Sequence, residues 1–180
     1  VDEKPFIYPA TEAEKYGCED ARVVRLNGRY YINFTVISED SWCTMLAETD
    51  DFRSVRRRGI IFHPENKDVA IFPEKVNGKY FALHRPARTL IGPSIWIASS
   101  PDLVHWGGHQ HLIGPTPGSW DEGRVGANSH PIKTKKGWLC LCHAAHKTGN
   151  PKSPSAYVLS LMLLDLEDPP KVLAYSKEPF

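Results

Sequence analysis

The feature that most limits what this chain can fold into is a hairpin that it repeats. A turn followed by an aromatic strand is spelled Asn27-Gly28-Arg29-Tyr30-Tyr31-Ile32-Asn33-Phe34, then Asn77-Gly78-Lys79-Tyr80-Phe81-Ala82-Leu83-His84, then Lys136-Gly137-Trp138-Leu139-Cys140-Leu141-Cys142-His143. The unit therefore recurs roughly every 50 to 60 residues, at Gly28, Gly78 and Gly137. Asn-Gly between apolar runs is a strong local hairpin signal, because a type I′ turn needs positive φ at both central residues. Strand-like runs precede each turn at 21–26, 69–76 and 131–134, and a third run follows at 42–47, 95–99 and 157–164. A shorter fourth run is read at 59–62 and at 109–113, after turn-rich text.

Short strands in units of this size, with no helical pattern, predict an all-β fold and a β-propeller, with blades at roughly 17–62, 66–113 and 124–176. A β-sandwich is the rival, since it too has short strands and regular turns. Closed propellers have about four to eight blades, so about three blades in 1–180 predict a single propeller domain present as a fragment.

Composition narrows the function classes. A formal net charge of +1 offers no basic surface for nucleic acid. The run Arg56-Arg57-Arg58 is short and reads as a solvated blade edge. No apolar stretch nears the roughly 20 residues of a membrane helix, and the best candidate, 157–166, contains Ser160 and Asp165. The start Val1-Asp2-Glu3-Lys4-Pro5 is no signal peptide, so a cytoplasmic protein without a membrane partner is expected, with homo-oligomerisation open. Of the four cysteines, Cys140 and Cys142 alternate along one strand and should pack as small apolar groups.

Polar residues gather at one edge of the expected blades. Asp20, Asp68 and Asn128 stand at comparable offsets before the turn glycines, at the entry of each first strand, while Thr35, His84, Arg85 and His143 end the second strands. Antiparallel pairing puts the start of one strand beside the end of the other, so both sets converge on one mouth of the axis.

These segments resemble glycoside hydrolase family 130, the inverting mannoside phosphorylases and related β-mannosidases, which are five-bladed propellers. Gly17-Cys18-Glu19-Asp20-Ala21-Arg22-Val23 is similar to its G-x-E-D-A/P-R-V element. Asn66-Lys67-Asp68, Phe72-Pro73-Glu74-Lys75 and Leu83-His84-Arg85-Pro86 resemble its second signature. Ser119-Trp120-Asp121, Arg124-Val125-Gly126, Pro131-Ile132, Gly137-Trp138-Leu139 and His143 resemble its third. The resemblance implies that Asp20 is the general acid, acting through the sugar's own 3-hydroxyl. The structural alternative for Asp20 is a turn cap or an ion pair with Arg22.

Phosphate as nucleophile changes what the site must contain. An inverting hydrolase uses one carboxyl to protonate the leaving group and another to activate water. Phosphate brings its own negative charge, so a cluster of cations replaces the second carboxylate. On the resemblance these cations are Lys67, Arg85, Arg124 and His143, with Asp68 and His84 as sugar contacts. The expected activity is phosphorolysis of β-mannosides to α-mannose 1-phosphate; hydrolysis within the same family, and silent carbohydrate binding, are the alternatives. The expected partners are a mannose-containing oligosaccharide and phosphate, with no cofactor beyond that co-substrate. Arg124 stands where lysine is common, which exchanges a point charge for a planar fork. His143-Ala144-Ala145 departs from a His-Gly pair, which puts the shape of the subsite in question.

His105, His109 and His111 lie around a Trp106-Gly107-Gly108 turn without supporting carboxylate or thiolate spacing, so no metal site is expected. Trp42, Trp96 and Trp120 read as blade packing before sugar platforms, with Trp120, near Arg124, the one that could border the site.

Overall fold

The computed structural model describes residues 3–150 and 153–180; Val1 and Asp2, which begin the N-terminal segment read above, lie outside it. Three antiparallel sheets follow one another along the chain. The first is β1 (Gly17–Leu26), β2 (Arg29–Ile37), β3 (Trp42–Thr49) and β4 (Arg56–Phe62), paired in that order. The second is β5 (Asn66–Ile71), β6 (Tyr80–Pro86), β7 (Ile95–Ser100) and β8 (Gly107–Ile113). In the third, β11 (Gly137–Asn150), β12 (Ser153–Leu164) and β13 (Val172–Tyr175) follow an inner strand in two pieces, β9 (Arg124–Ala127) and β10 (Ile132–Thr134).

The packing decides between propeller and sandwich. The middle sheet alternates along each strand between two cores. Val69, Ile71, Ala82 and Ala98 face the first sheet, in a core with Leu46 and Phe62. Ala70, Phe72, Leu83 and Ile97 face the third, in a core with Trp138, Cys140 and Cys142. A sandwich has one core between two inner faces, whereas here a blade buries both faces against its neighbours. Trp138 is fully buried, its ring 5.1 Å from that of Phe72, so the third hairpin contributes an aromatic wedge between blades.

The Asn-Gly turns are as expected: Asn27 and Gly28 have φ 50° and 85°, Asn77 and Gly78 have 48° and 79°, the signature of type I′. The third hairpin differs. Thr134 pairs with Gly137, so Lys135 and Lys136 form the turn and Gly137 opens the strand, where a Cβ would lie 2.4 Å from the Leu164 carbonyl oxygen.

Three further expectations are corrected. The inner strand of the third unit is not 131–134 alone: Arg124–Ala127 is paired with the far half of β11. The run 69–76 is a strand only as far as Ile71, with Phe72 still bonded to Phe81 and Val76 bridged to Lys79. The arginine run is not uniformly solvated. Arg57 donates from Nε to Glu14 at 2.9 Å, and Glu14 is fully buried at the end of a 3-10 turn (Glu12–Glu14). Burial alone would raise the Glu14 carboxyl, but Arg57, Thr11 and the Ala10 amide outweigh it and hold the group below its usual range. This pair ties the leading segment, through Phe6, Ile7 and Ala13, onto the core of the first blade.

Cys140 and Cys142 are both fully buried, and burial pushes the Cys142 thiol up to about 12 and Cys140 also upward. No helix among the described residues is long and apolar enough to cross a membrane.

Candidate active site

Asp20 and Asp68 are not at strand entries, as the sequence suggested, but inside β1 and β5, at breaks of register between Glu19 and Arg22 and between Lys67 and Ala70. Both lie at left-handed φ, 53° and 56°. A bulge of this kind inserts a residue, bends the strand and re-aims a side chain, and Asp tolerates positive φ better than most residues. The same device in two blades carries both carboxylates to the axial mouth.

Asp68 is the hub. Its side chain is only 8% exposed, and its Oδ2 accepts a close bond from Arg85 Nε and lies 3.5 Å from His143 Nε2. Its Oδ1 lies 3.5 Å from Arg22 Nη2, and that same nitrogen donates to Asp20 Oδ2 at 3.1 Å. Asp20 is 45% exposed and therefore open to a ligand. Lys67 is paired directly across the strands from Arg85. Like charges in that position repel, and carboxylates relieve them: Glu19 takes Lys67, and Asp68 takes Arg85.

The third blade closes the cluster. His143 pairs with Gly126, and Ala145 pairs with both Arg124 and Tyr157. At Gly126 a Cβ would sit 2.2 Å from Asp68 Oδ2 and 2.7 Å from His143 Cε1, so glycine is needed for the two blades to meet. Small Ala145 lies between Arg124 and Tyr157, whose hydroxyl takes a close bond from Arg124 and whose ring lies 4.9 Å from the guanidinium carbon. His143 shares a 2.6 Å bond between Nδ1 and Asn128 Oδ1; with that oxygen accepting, Nδ1 carries the proton and Nε2 faces the cluster with its lone pair. Burial, and then Arg85, Arg22 and Arg124, outweigh the opposing pull of Asp68 and hold the imidazole below its ordinary value.

Asp20, Lys67, Asp68, Arg85, Arg124 and His143 thus share one neighbourhood. His84 does not. Alternation along β6 turns it to the opposite face from Arg85. It is buried against Phe62, with ring centroids 4.7 Å apart. Asn66 Nδ2 donates to its Nδ1 at 3.1 Å, which leaves its Nε2 to donate to His109 Nδ1 at 3.1 Å. Burial, and then His109, push its pKa down to about 3. His84 and His109 line a cleft of about 560 Å³ with Phe62, Trp96 and Trp106, between blades and away from the carboxylates. Among the described residues no three His, Cys, Asp or Glu side chains gather as metal ligands. Trp120 stacks on Tyr175 at 5.9 Å, as packing requires.

Sequence reasoning passed over Arg22 and Tyr157 as site residues. Arg22 was legible as a partner of Asp20; Tyr157 carried no local signal, because it reaches the site from two strands away.

A family model described as beta-1,4-mannooligosaccharide phosphorylase matches residues 1–180. The chain belongs to glycoside hydrolase family 130. It is 51% identical over 180 residues to the beta-1,2-mannobiose phosphorylase of Listeria innocua, covering 99% of this chain and 49% of that one. It is 41% identical to the 1,2-beta-oligomannan phosphorylase of a Thermoanaerobacter strain, covering 98% of this chain and 57% of that one. The solved complex of the Listeria enzyme with beta-1,2-mannobiose superposes with a TM-score of 0.91 at 50% identity, across 99% of this chain and 49% of that one. The family is one of five-bladed propellers, and these three sheets are blades of it. The chain spans about half the length of the relatives it matches.

Proposed function

We propose that the protein to which these blades belong cleaves β-mannosides with inorganic phosphate, inverting the anomeric carbon and releasing α-mannose 1-phosphate. The observation that carries this reading is that Lys67, Arg85, Arg124 and the His143 imidazole converge on the opening beside Asp20, from two blades. A phosphate dianion entering beside Asp20 would receive charge-assisted bonds from guanidinium forks, which match phosphate geometry. A phosphate oxygen forms the new bond to the anomeric carbon as the glycosidic bond breaks, and the leaving oxygen takes a proton that originates on Asp20. Positioned cations are worth most where charge develops in a site shielded from water.

The hydrolytic alternative needs a free carboxylate to activate water. Asp68, the enclosed carboxylate beside Asp20, is held by Arg22 on one oxygen and by Arg85 on the other, so it is not a free base. The same engagement counts against Asp68 as a main sugar contact and makes it part of the phosphate cluster. Relatives at 51% and 41% identity are named for β-1,2-linked mannosides, which supports that linkage for the substrate.

The test is product analysis in a protein carrying the complete propeller. With β-1,2-mannobiose and phosphate, the product should be α-mannose 1-phosphate plus mannose in equal amounts, and omission of phosphate should stop turnover. Two mannoses per mannobiose at an undiminished rate without phosphate would assign the hydrolase.

A further inference from the structure

Arg22 is the side chain that the assigned roles leave out, and its bonding is unusual. It follows the bulge in β1 and lies in the middle of the site with its side chain 11% exposed. One nitrogen, Nη2, serves both Asp20 at 3.1 Å and Asp68 at 3.5 Å. Its Nε and Nη1 are buried without a hydrogen-bond partner. Buried guanidinium donors are ordinarily satisfied, because leaving them unmet forfeits their hydration. A fold selected only for stability would satisfy them or replace the residue; departures from local rules of this kind concentrate at functional sites.

The contacts form a chain of alternating charge, Asp20, Arg22, Asp68 and Arg85, with the His143 ring of the third blade 3.5 Å from Asp68. Among the described residues Arg22 is its one link between the exposed carboxyl and the cation cluster. The backbone does not fix Asp20 tightly, since it projects from a bulge and is half-exposed. Without Arg22 the carboxyl would be free to rotate toward solvent, and Asp68 would lose its tie on the first blade.

Resting on the phosphorolytic reading above, we infer that Arg22 is a positioning residue: it aligns Asp20 with the phosphate cluster and acts on turnover through Asp20, touching neither the anomeric carbon nor the phosphate. Misplacement of a reacting group by about 1 Å can cost on the order of 100-fold, so loss of the tether belongs in kcat.

The experiment is a double-mutant cycle in a protein carrying the complete propeller, read as kcat at saturating phosphate and β-1,2-mannobiose. Arg22→Ala should lower kcat by about 10- to 100-fold, with both KM values moving less than about threefold. In the Asp20→Asn background the same change should cost less than about threefold, because a tether has no effect once its acid is gone. Should the alanine variant not fold, as thermal unfolding will tell, Arg22→Gln carries the same cycle. Losses that multiply, or an unchanged kcat in the single variant, would overturn the assignment. A rise in phosphate KM with kcat intact would overturn it too, and make Arg22 a phosphate ligand instead. Failure of the phosphorolytic reading is seen separately, as free mannose formed by the unmutated protein without phosphate.

Discussion

Asp20 and Asp68 occupy the same place in two successive blades, each at a bulge of an inner strand and at φ 53° and 56°, yet one side chain is 45% exposed and the other 8%. The repeat of the fold delivers two carboxylates to one opening, and the neighbours then separate their roles. Asp68 is enclosed by Arg85, His143 and Arg22 and serves as the counter-ion of the cluster. Asp20 keeps an open side and, among the described residues, a single arginine partner.

Because of that open side, Asp20→Asn should remove most turnover, since an amide cannot supply the proton and positioned proton transfer is worth about 10²- to 10⁴-fold. Phosphate affinity, measured by calorimetry without mannoside, should stay within about threefold of the unmutated value. Near-normal rates in this variant would move the acid elsewhere.

Gly126→Ala tests the contact between the second and third blades. The new methyl group would sit 2.2 Å from Asp68 Oδ2 and 2.7 Å from His143 Cε1, so both side chains must shift. Overpacking of this kind costs about 1–3 kcal/mol. The phosphate KM should rise by roughly tenfold, in line with about 1.4 kcal/mol per decade, and an initial-rate titration with phosphate would read it.

His84 predicts a pH dependence of stability. Its pKa is pushed down to about 3 in the folded state against an ordinary value near 6.5. Between those values the unfolded chain binds the extra proton, so stability is complete above about pH 6.5 and is lost as the pH falls. Between pH 6.5 and 5 the loss from this one group is on the order of 1–2 kcal/mol. His143, held below its ordinary value by burial and by the nearby guanidiniums, adds loss of the same sign. Urea unfolding at the two pH values should show the decline, and His84→Gln should flatten it. A slope as steep in the variant as in the unmutated protein would remove His84 as its source.

Much of this fold could be read from the sequence because its turns carry their own chemistry. Asn27-Gly28 and Asn77-Gly78 demand one turn geometry, and that geometry sets the register of the aromatic strands behind them. The third blade was less legible for the same reason: Gly137 serves a close approach to Leu164 and not the turn, and residues 128–131 interrupt the inner strand between β9 and β10. Most site positions were legible as the outcome of antiparallel pairing at a common edge. His84 was misplaced because adjacent residues on a strand face opposite ways, so Arg85 and His84 cannot both reach the axis. Arg22 lacked a signal of its own, since an arginine beside an aspartate reads as a simple ion pair until Asp68 is seen on its other side.

The central claim is that the cations around Asp20 hold phosphate, and Arg85 tests it most directly. Arg85 stands opposite Lys67 and is oriented by Asp68. With saturating β-1,2-mannobiose and a protein carrying the complete propeller, initial rates should be measured against phosphate concentration for the unmutated form and for Arg85→Ala. Loss of a charge-assisted contact worth about 1.5–3 kcal/mol should raise the phosphate KM or lower kcat/KM for phosphate by roughly 10- to 150-fold, with the mannoside KM nearly unchanged. Rates that do not depend on phosphate in the unmutated protein, or an Arg85→Ala variant with an unaltered phosphate curve, would contradict it.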